Sequence, residues 1–174
     1  MHYFVIQVAT GREQIFIDNL KKLNPALAQA HKFIYFTREL TIRRGGKSLK
    51  ELQPLFPSYV IMQTENMIDA ETLIELKKLP DFYHFLNSNT EIVPLNDKDL
   101  CIIKHFMGLG PKLGSSRVRF DENDRIAVCE GPLKGMEGNI IKVDRRKQRA
   151  KIQLNFHGST YTLDLSFEDI TKES

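Results

Sequence analysis

The chain has 174 residues, room for one or two domains, with 41% hydrophobic and 27% charged side chains, ordinary proportions for a soluble globular protein. Its formal charge of +3 is too small for global charge to announce a nucleic-acid binder, so local charge matters more. No apolar run approaches the ~18 residues of a membrane span, and the first residues, MHYFVIQV, lack the cationic start and small-residue cleavage site of a signal peptide. Cys101 and Cys129 lie in separate segments without metal-ligand spacing, which reads as two packed thiols in a reducing compartment. The expected location is the cytoplasm, away from membranes.

Taken in order, residues 3–8 are aromatic and β-branched and predict a strand. Thr10 is placed to cap a helix over 12–23, with Glu13 as its capping-box partner. Phe16, Leu20, Leu23 and Leu27 fall at helical spacing, and Asn24-Pro25 ends the helix. Residues 32–40 predict a second strand with apolar groups on both faces. Arg43-Arg44-Gly45-Gly46-Lys47 predicts a hairpin turn with three positive charges. A rigid apolar run, Pro54 through Tyr59, leads into a strand over 59–63. A helix follows over 69–79, carrying Leu73, Leu76 and Leu79 on one stripe, and Pro80 stops it. Residues 82–86 are short and aromatic. A capped helix over 97–107 turns Leu100, Ile103 and Met107 inward.

The first domain is therefore α+β and spans 1–107. Residues 108–117 are Gly/Ser/Pro-rich and predict a mobile linker. The second domain, 118–174, predicts five short strands, at 125–129, 139–143, 150–154, 160–165 and 167–170, the rhythm of a small β-barrel. Ala150, Ile152 and Leu154 alternate with Lys151 and Gln153, so one face is buried and the other basic. Gly135 and Gly138 bracket a tight turn. No sustained 3.6-residue period appears in this segment, so a barrel without a helical alternative is expected.

The β unit from Asn123 to Leu154 resembles the KOW motif of ribosomal proteins and NusG-type transcription factors. With it come an aromatic first strand, Gly11-Arg12-Glu13 at the start of a helix, a basic hairpin, and Leu55-Phe56-Pro57-Ser58-Tyr59-Val60. The last of these lies about seventy residues before the Glu130-Gly131-Pro132 core of the KOW motif. The chain thus resembles the NusG family over nearly its whole length. The resemblance implies an NGN domain, an antiparallel sheet flanked by helices, linked to a five-stranded KOW barrel. It implies a monomeric elongation factor whose Tyr3, Phe4, Phe56, Pro57 and Tyr59 meet the clamp helices of RNA polymerase's largest subunit. From pattern alone, Phe4 and Phe56 read first as core residues.

Two departures are informative. Ser58 replaces the family's usual glycine, and the run from Arg44 to Tyr59 looks more like the specialised paralogues RfaH and LoaP. The family's Phe-Gly-Arg segment reads Phe156-His157-Gly158-Ser159, which puts contacts with NusE, the ribosome and Rho in doubt. His157 itself reads as a solvent-facing turn residue. Between Lys142 and Lys151 stand six basic side chains, Lys142, Arg145, Arg146, Lys147, Arg149 and Lys151, against one acid, Asp144. Yet 118–174 as a whole carries ten basic and ten acidic residues. Such a local patch neutralises phosphates, and arginines also stack on bases. Charge alone would equally describe a solvated hairpin. LoaP-like factors are recruited by an RNA hairpin, so the resemblance points to nascent RNA, with Lys134 extending the patch. For Arg12, Arg38, Arg43, Arg44 and Lys47 it points to upstream or non-template DNA. Five histidines, at 2, 31, 84, 105 and 157, are scattered, no catalytic or metal constellation assembles, and no P-loop is present. Neither catalysis, nor a cofactor, nor a metal is expected. A general NusG factor and a ribosome-bound KOW protein are the alternatives.

Overall fold

The computed structural model describes residues 1–86 and 90–171; the last three residues of the expected second domain lie outside that range. The elements run β1 (His2–Val8), α1 (Glu13–Leu23), α2 (Pro25–Ala30), β2 (Lys32–Ile34), β3 (Thr37–Arg44), β4 (Lys47–Pro54), β5 (Tyr59–Thr64), α3 (Ala70–Lys77) and β6 (Phe82–Phe85). Then come α4 (Asp97–Met107), β7 (Lys112–Leu113), β8 (Ser116–Phe120), β9 (Ile126–Glu130), a 3-10 turn at Glu137–Asn139, β10 (Ile140–Asp144), β11 (Arg149–Phe156) and β12 (Ser159–Asp169). The chain forms two compact units, Met1–Phe36 with Phe56–Cys101, and Thr37–Leu55 with Ile102–Ser174.

In the first unit an antiparallel sheet runs β2-β5-β1-β6. Strand alternation sorts β1 into two faces. Phe4, Ile6 and Val8 join Phe16 and Leu20 of α1, Leu27 of α2, Leu76 of α3 and Phe85 in one core. Tyr3 and Val5 are buried on the opposite face. Asn24 ends α1 by donating its N–H to the Leu20 carbonyl, and its side chain then accepts from Leu27 N at 3.0 Å to start α2. Pro25 suits the first turn of α2, where its missing N–H has no helical acceptor. That second helix is absent from the sequence-based expectation. The strand expected over 32–40 breaks at Tyr35 and Phe36 into β2 and β3. Asp69 caps α3, accepting from Thr72 N at 2.7 Å, which holds its carboxyl below the usual carboxylate range. Asn96 caps α4 in the same manner, through Asp99 N at 3.0 Å.

The capping box expected at α1 does not form. The cap position is Arg12, without a side-chain cap bond. Thr10 Oγ1 instead lies 2.5 Å from Ser58 Oγ, and the buried Glu13 carboxylate accepts from Gly11 N at 3.2 Å and Ser58 N at 2.7 Å.

In the second unit β3 and β4 form the expected hairpin, in register from Thr37↔Pro54 to Arg44↔Lys47. Gly45 and Gly46 turn it with φ of +55° and +76°, a left-handed pair that glycine adopts without strain. The stretch expected to be a bare tether, 108–117, carries structure. Lys112 and Leu113 pair in parallel with Thr37 and Arg38, Leu113 and Ser116 are buried, and β8 begins at Ser116. A half-barrel follows with strand order β10-β11-β12-β8-β9. It has five strands, but not the five expected: β8 is additional, and the two expected strands at 160–165 and 167–170 are one, β12. That strand pairs antiparallel with β11 and, from Phe167 to Asp169, parallel with β8. Ala150, Ile152, Leu154 and Phe156 all point inward, as their alternation requires. Among the described residues from 118 onward the 3-10 turn is the only helical element.

Candidate nucleic-acid interface

The turn from β10 to β11 carries the charge concentration. Asp144 Oδ1 accepts from Lys147 N at 2.9 Å, and Gln148 closes the turn with φ +53°. Gln148 N donates to Arg145 O at 3.2 Å, and Gln148 O accepts from Phe167 N at 3.0 Å. These bonds fix the turn against β12.

The basic residues then divide. Arg145 is anchored by ion pairs to Asp124 at 2.6 Å and Asp169 at 2.8 Å, with its guanidinium 4.1 Å from the centre of the Phe120 ring. Asp169 is held below the usual carboxylate range, first by the Thr171 hydroxyl and N–H and then by Arg145. Arg149 Nη2 donates to Thr41 O at 2.6 Å, while Lys151 meets Asp164 at 3.2 Å. Lys134 Nζ donates to Val128 O at 3.0 Å. Lys142, Arg146 and Lys147 are exposed and have no ion pair among the described residues. Three acids the local sequence does not show, Asp124, Asp164 and Asp169, therefore neutralise part of the expected patch.

The structure also brings β3 to this turn. A hollow of about 490 Å³ is lined by Arg43, Ser48, Arg145, Arg146, Lys147 and Arg149, and among the described residues no carboxylate lines it. A smaller hollow, about 220 Å³, shares Lys147 and Arg149 but includes Asp144 and Asp164. The set expected to touch DNA is divided between the two units. Arg12 pairs with Asp81 at 2.8 Å in the first unit. Arg44 pairs with Glu51 at 3.5 Å, and Lys47 is exposed at the hairpin tip. Arg38 is half-buried, and its Nε and Nη1 are enclosed without an acceptor among the described residues. Burial lowers its pKa, with Asp164 opposing that shift and Arg149 adding to it. Only Arg43 of this set lines the larger hollow.

Of the five residues the resemblance assigned to the polymerase, Phe4 is fully buried and lies edge-on to Phe85 at 6.0 Å and 75°. Tyr3 and Phe56 are buried, Tyr59 is half-buried and Pro57 is exposed. Tyr3 and Phe4 are neighbours on a strand and face opposite sides, so they do not share one surface. Phe156 is wholly buried, edge-on to Tyr161, and His157 occupies a left-handed turn position at φ +51°. Two contributors escaped the sequence reading, Glu13 as the brace of the 56–59 turn and Ser48 as the neighbour of Arg43. The second could have been counted, because the Gly-Gly turn sets the register that pairs them. Among the described residues no three His, Cys, Asp or Glu side chains cluster to hold a metal ion. No helix among them is long and apolar enough to cross a membrane.

Comparison with known proteins supplies the family. The model described as transcription termination factor nusG matches residues 1–104. The transcription termination/antitermination protein NusG of Synechocystis is 23% identical, over 99% of this chain and 90% of that protein. Its counterpart in Escherichia coli O6:H1 is 26% identical, over 95% of this chain and 88% of that protein. A solved structure of domain interaction in Thermotoga maritima NusG shares the fold at a TM-score of 0.53 and 20% identity, covering 95% of this chain and 93% of that one. With the family model spanning more than half its length, the chain belongs to the NusG family, transcription termination/antitermination factors rather than enzymes.

Proposed function

We propose that this chain is a specialised elongation and antitermination factor that binds RNA polymerase through its first unit and a nascent RNA hairpin through the cationic turn of its second. The observation that carries the RNA half is the acid-free hollow beside Arg146 and Lys147, whose charges stay exposed and unneutralised. Phosphate binding needs such surplus donors, because a cation already paired to a carboxylate gains little by exchanging partners. For the polymerase half, Pro57 and Tyr59 are the contact. Tyr3, Phe4 and Phe56 are buried, and Glu13 fixes the backbone at Ser58, between Pro57 and Tyr59. A rigid aromatic anchor of this kind suits a pair of partner helices. The general NusG factor is the second reading, favoured by the names of the relatives, and it differs in needing no RNA address.

The test is capture of purified RNA polymerase and, separately, of ribosomes on the immobilised full chain. Polymerase is expected to bind, and Tyr59→Ala to weaken it by about tenfold or more, as removal of an interface hot spot does. Retention of ribosomes without polymerase would replace this reading with a ribosomal one.

A further inference from the structure

We propose that the nucleic-acid seat is composite: Arg43 and Ser48 of the β3–β4 hairpin grip one phosphodiester backbone together with Arg146 and Lys147 of the β10–β11 turn. The inference rests on the nucleic-acid reading above and adds the hairpin half, which that reading leaves out.

The hairpin register pairs Arg43 directly with Ser48, so a guanidinium and a hydroxyl stand side by side. Together they are phosphate donors. Both line the same hollow as Arg146 and Lys147. None of Arg43, Arg146 and Lys147 has an ion pair among the described residues. At about 490 Å³ the hollow falls within the common size of ligand sites, so it has room for more than a lone phosphate.

Arg145 and Arg149 serve the wall instead. Both terminal nitrogens of Arg145 are engaged by carboxylates, and Arg149 holds the Thr41 carbonyl at 2.6 Å. Ser166 Oγ adds a bond to the Glu39 carbonyl at 2.7 Å, so β3 is tied to the sheet at two points. The neighbouring hollow is a poorer seat, since Asp144 and Asp164 would repel the same phosphate.

The test is fluorescence anisotropy of the full chain against a labelled RNA stem-loop with single-stranded flanks and against duplex DNA, across a salt series. Arg43→Ala is expected to weaken binding several-fold and to reduce the log–log salt slope by about 0.7–0.9, the share of one phosphate contact. Arg146→Ala is expected to do the same, and the double variant to lose less than the product of the two. Lys22→Ala, which removes one charge on exposed α1, is expected to change neither affinity nor slope. Whichever probe shows the Arg43-dependent slope is the ligand of the seat. If Arg146→Ala and Lys147→Ala weaken binding while Arg43→Ala and Ser48→Ala do not, the composite seat is wrong and the turn alone binds. If none of the four matters, the seat and the nucleic-acid reading both fall.

Discussion

Ser58 sits at φ +72°, a left-handed conformation that costs a residue with a side chain about 1–2 kcal/mol. Its N–H donates to Glu13, its carbonyl accepts from Val8 N at 2.8 Å, and its hydroxyl meets Thr10. Glu13 is therefore the brace of the 56–59 turn. Glu13→Ala leaves the Gly11 and Ser58 N–H groups without their acceptor, and should destabilise the chain by about 2–5 kcal/mol in urea unfolding. Glu13→Gln, which keeps an acceptor, should cost less. Asp169 makes a second prediction. Its carboxyl is depressed when folded, so its stabilising contribution is complete above the ordinary carboxylate value of about 4 and vanishes as pH falls through the lower folded value. In an NMR titration of the Asp169 carboxyl, Thr171→Val should raise its midpoint more than Arg145→Ala, because the Thr171 hydroxyl bond is the larger cause.

Among the elements, β8 and β12 show where local pattern loses to tertiary context. Gly, Ser and Pro around 108–117 read as tether, yet Ser116 is buried and its Oγ accepts from Leu133 N at 2.9 Å. Gly131 makes that approach feasible. Its φ is +97°, and a Cβ there would stand 2.6 Å from Ser116 Cα, backbone that cannot step aside. Gly131→Ala should therefore lower stability by about 2–5 kcal/mol, read as a shift of the urea midpoint, whereas Gly138, with open space around it, should tolerate alanine. The two-strand reading of β12 has a similar origin. Leu165, Ser166 and Phe167 are all buried, which interrupts the period of two where the strand passes from β11 to β8. By contrast β1, α1, the Gly45-Gly46 hairpin and β11 were legible, because each follows a local period or a turn rule that needs no distant partner.

Over the whole molecule, the cationic turn was visible as charge, but its neutralisation was not. Asp124, Asp164 and Asp169 lie in other segments and reach Arg145 and Lys151 only through the strand order. Arg43, distant in sequence from the turn, lines the hollow beside Arg146 only because of the fold. On the hollow, Arg43, Arg146 and Lys147 are the cations without an ion pair among the described residues. The most direct test of RNA-addressed antitermination is single-round transcription by purified RNA polymerase through a terminator, with and without an upstream RNA hairpin in the transcript. The chain is expected to raise readthrough, the hairpin to enlarge the effect, and Arg146→Ala with Lys147→Ala to remove the enlargement while leaving the hairpin-independent effect. Readthrough unchanged by the chain, or an equal gain whether or not the hairpin is present, would contradict RNA-addressed antitermination.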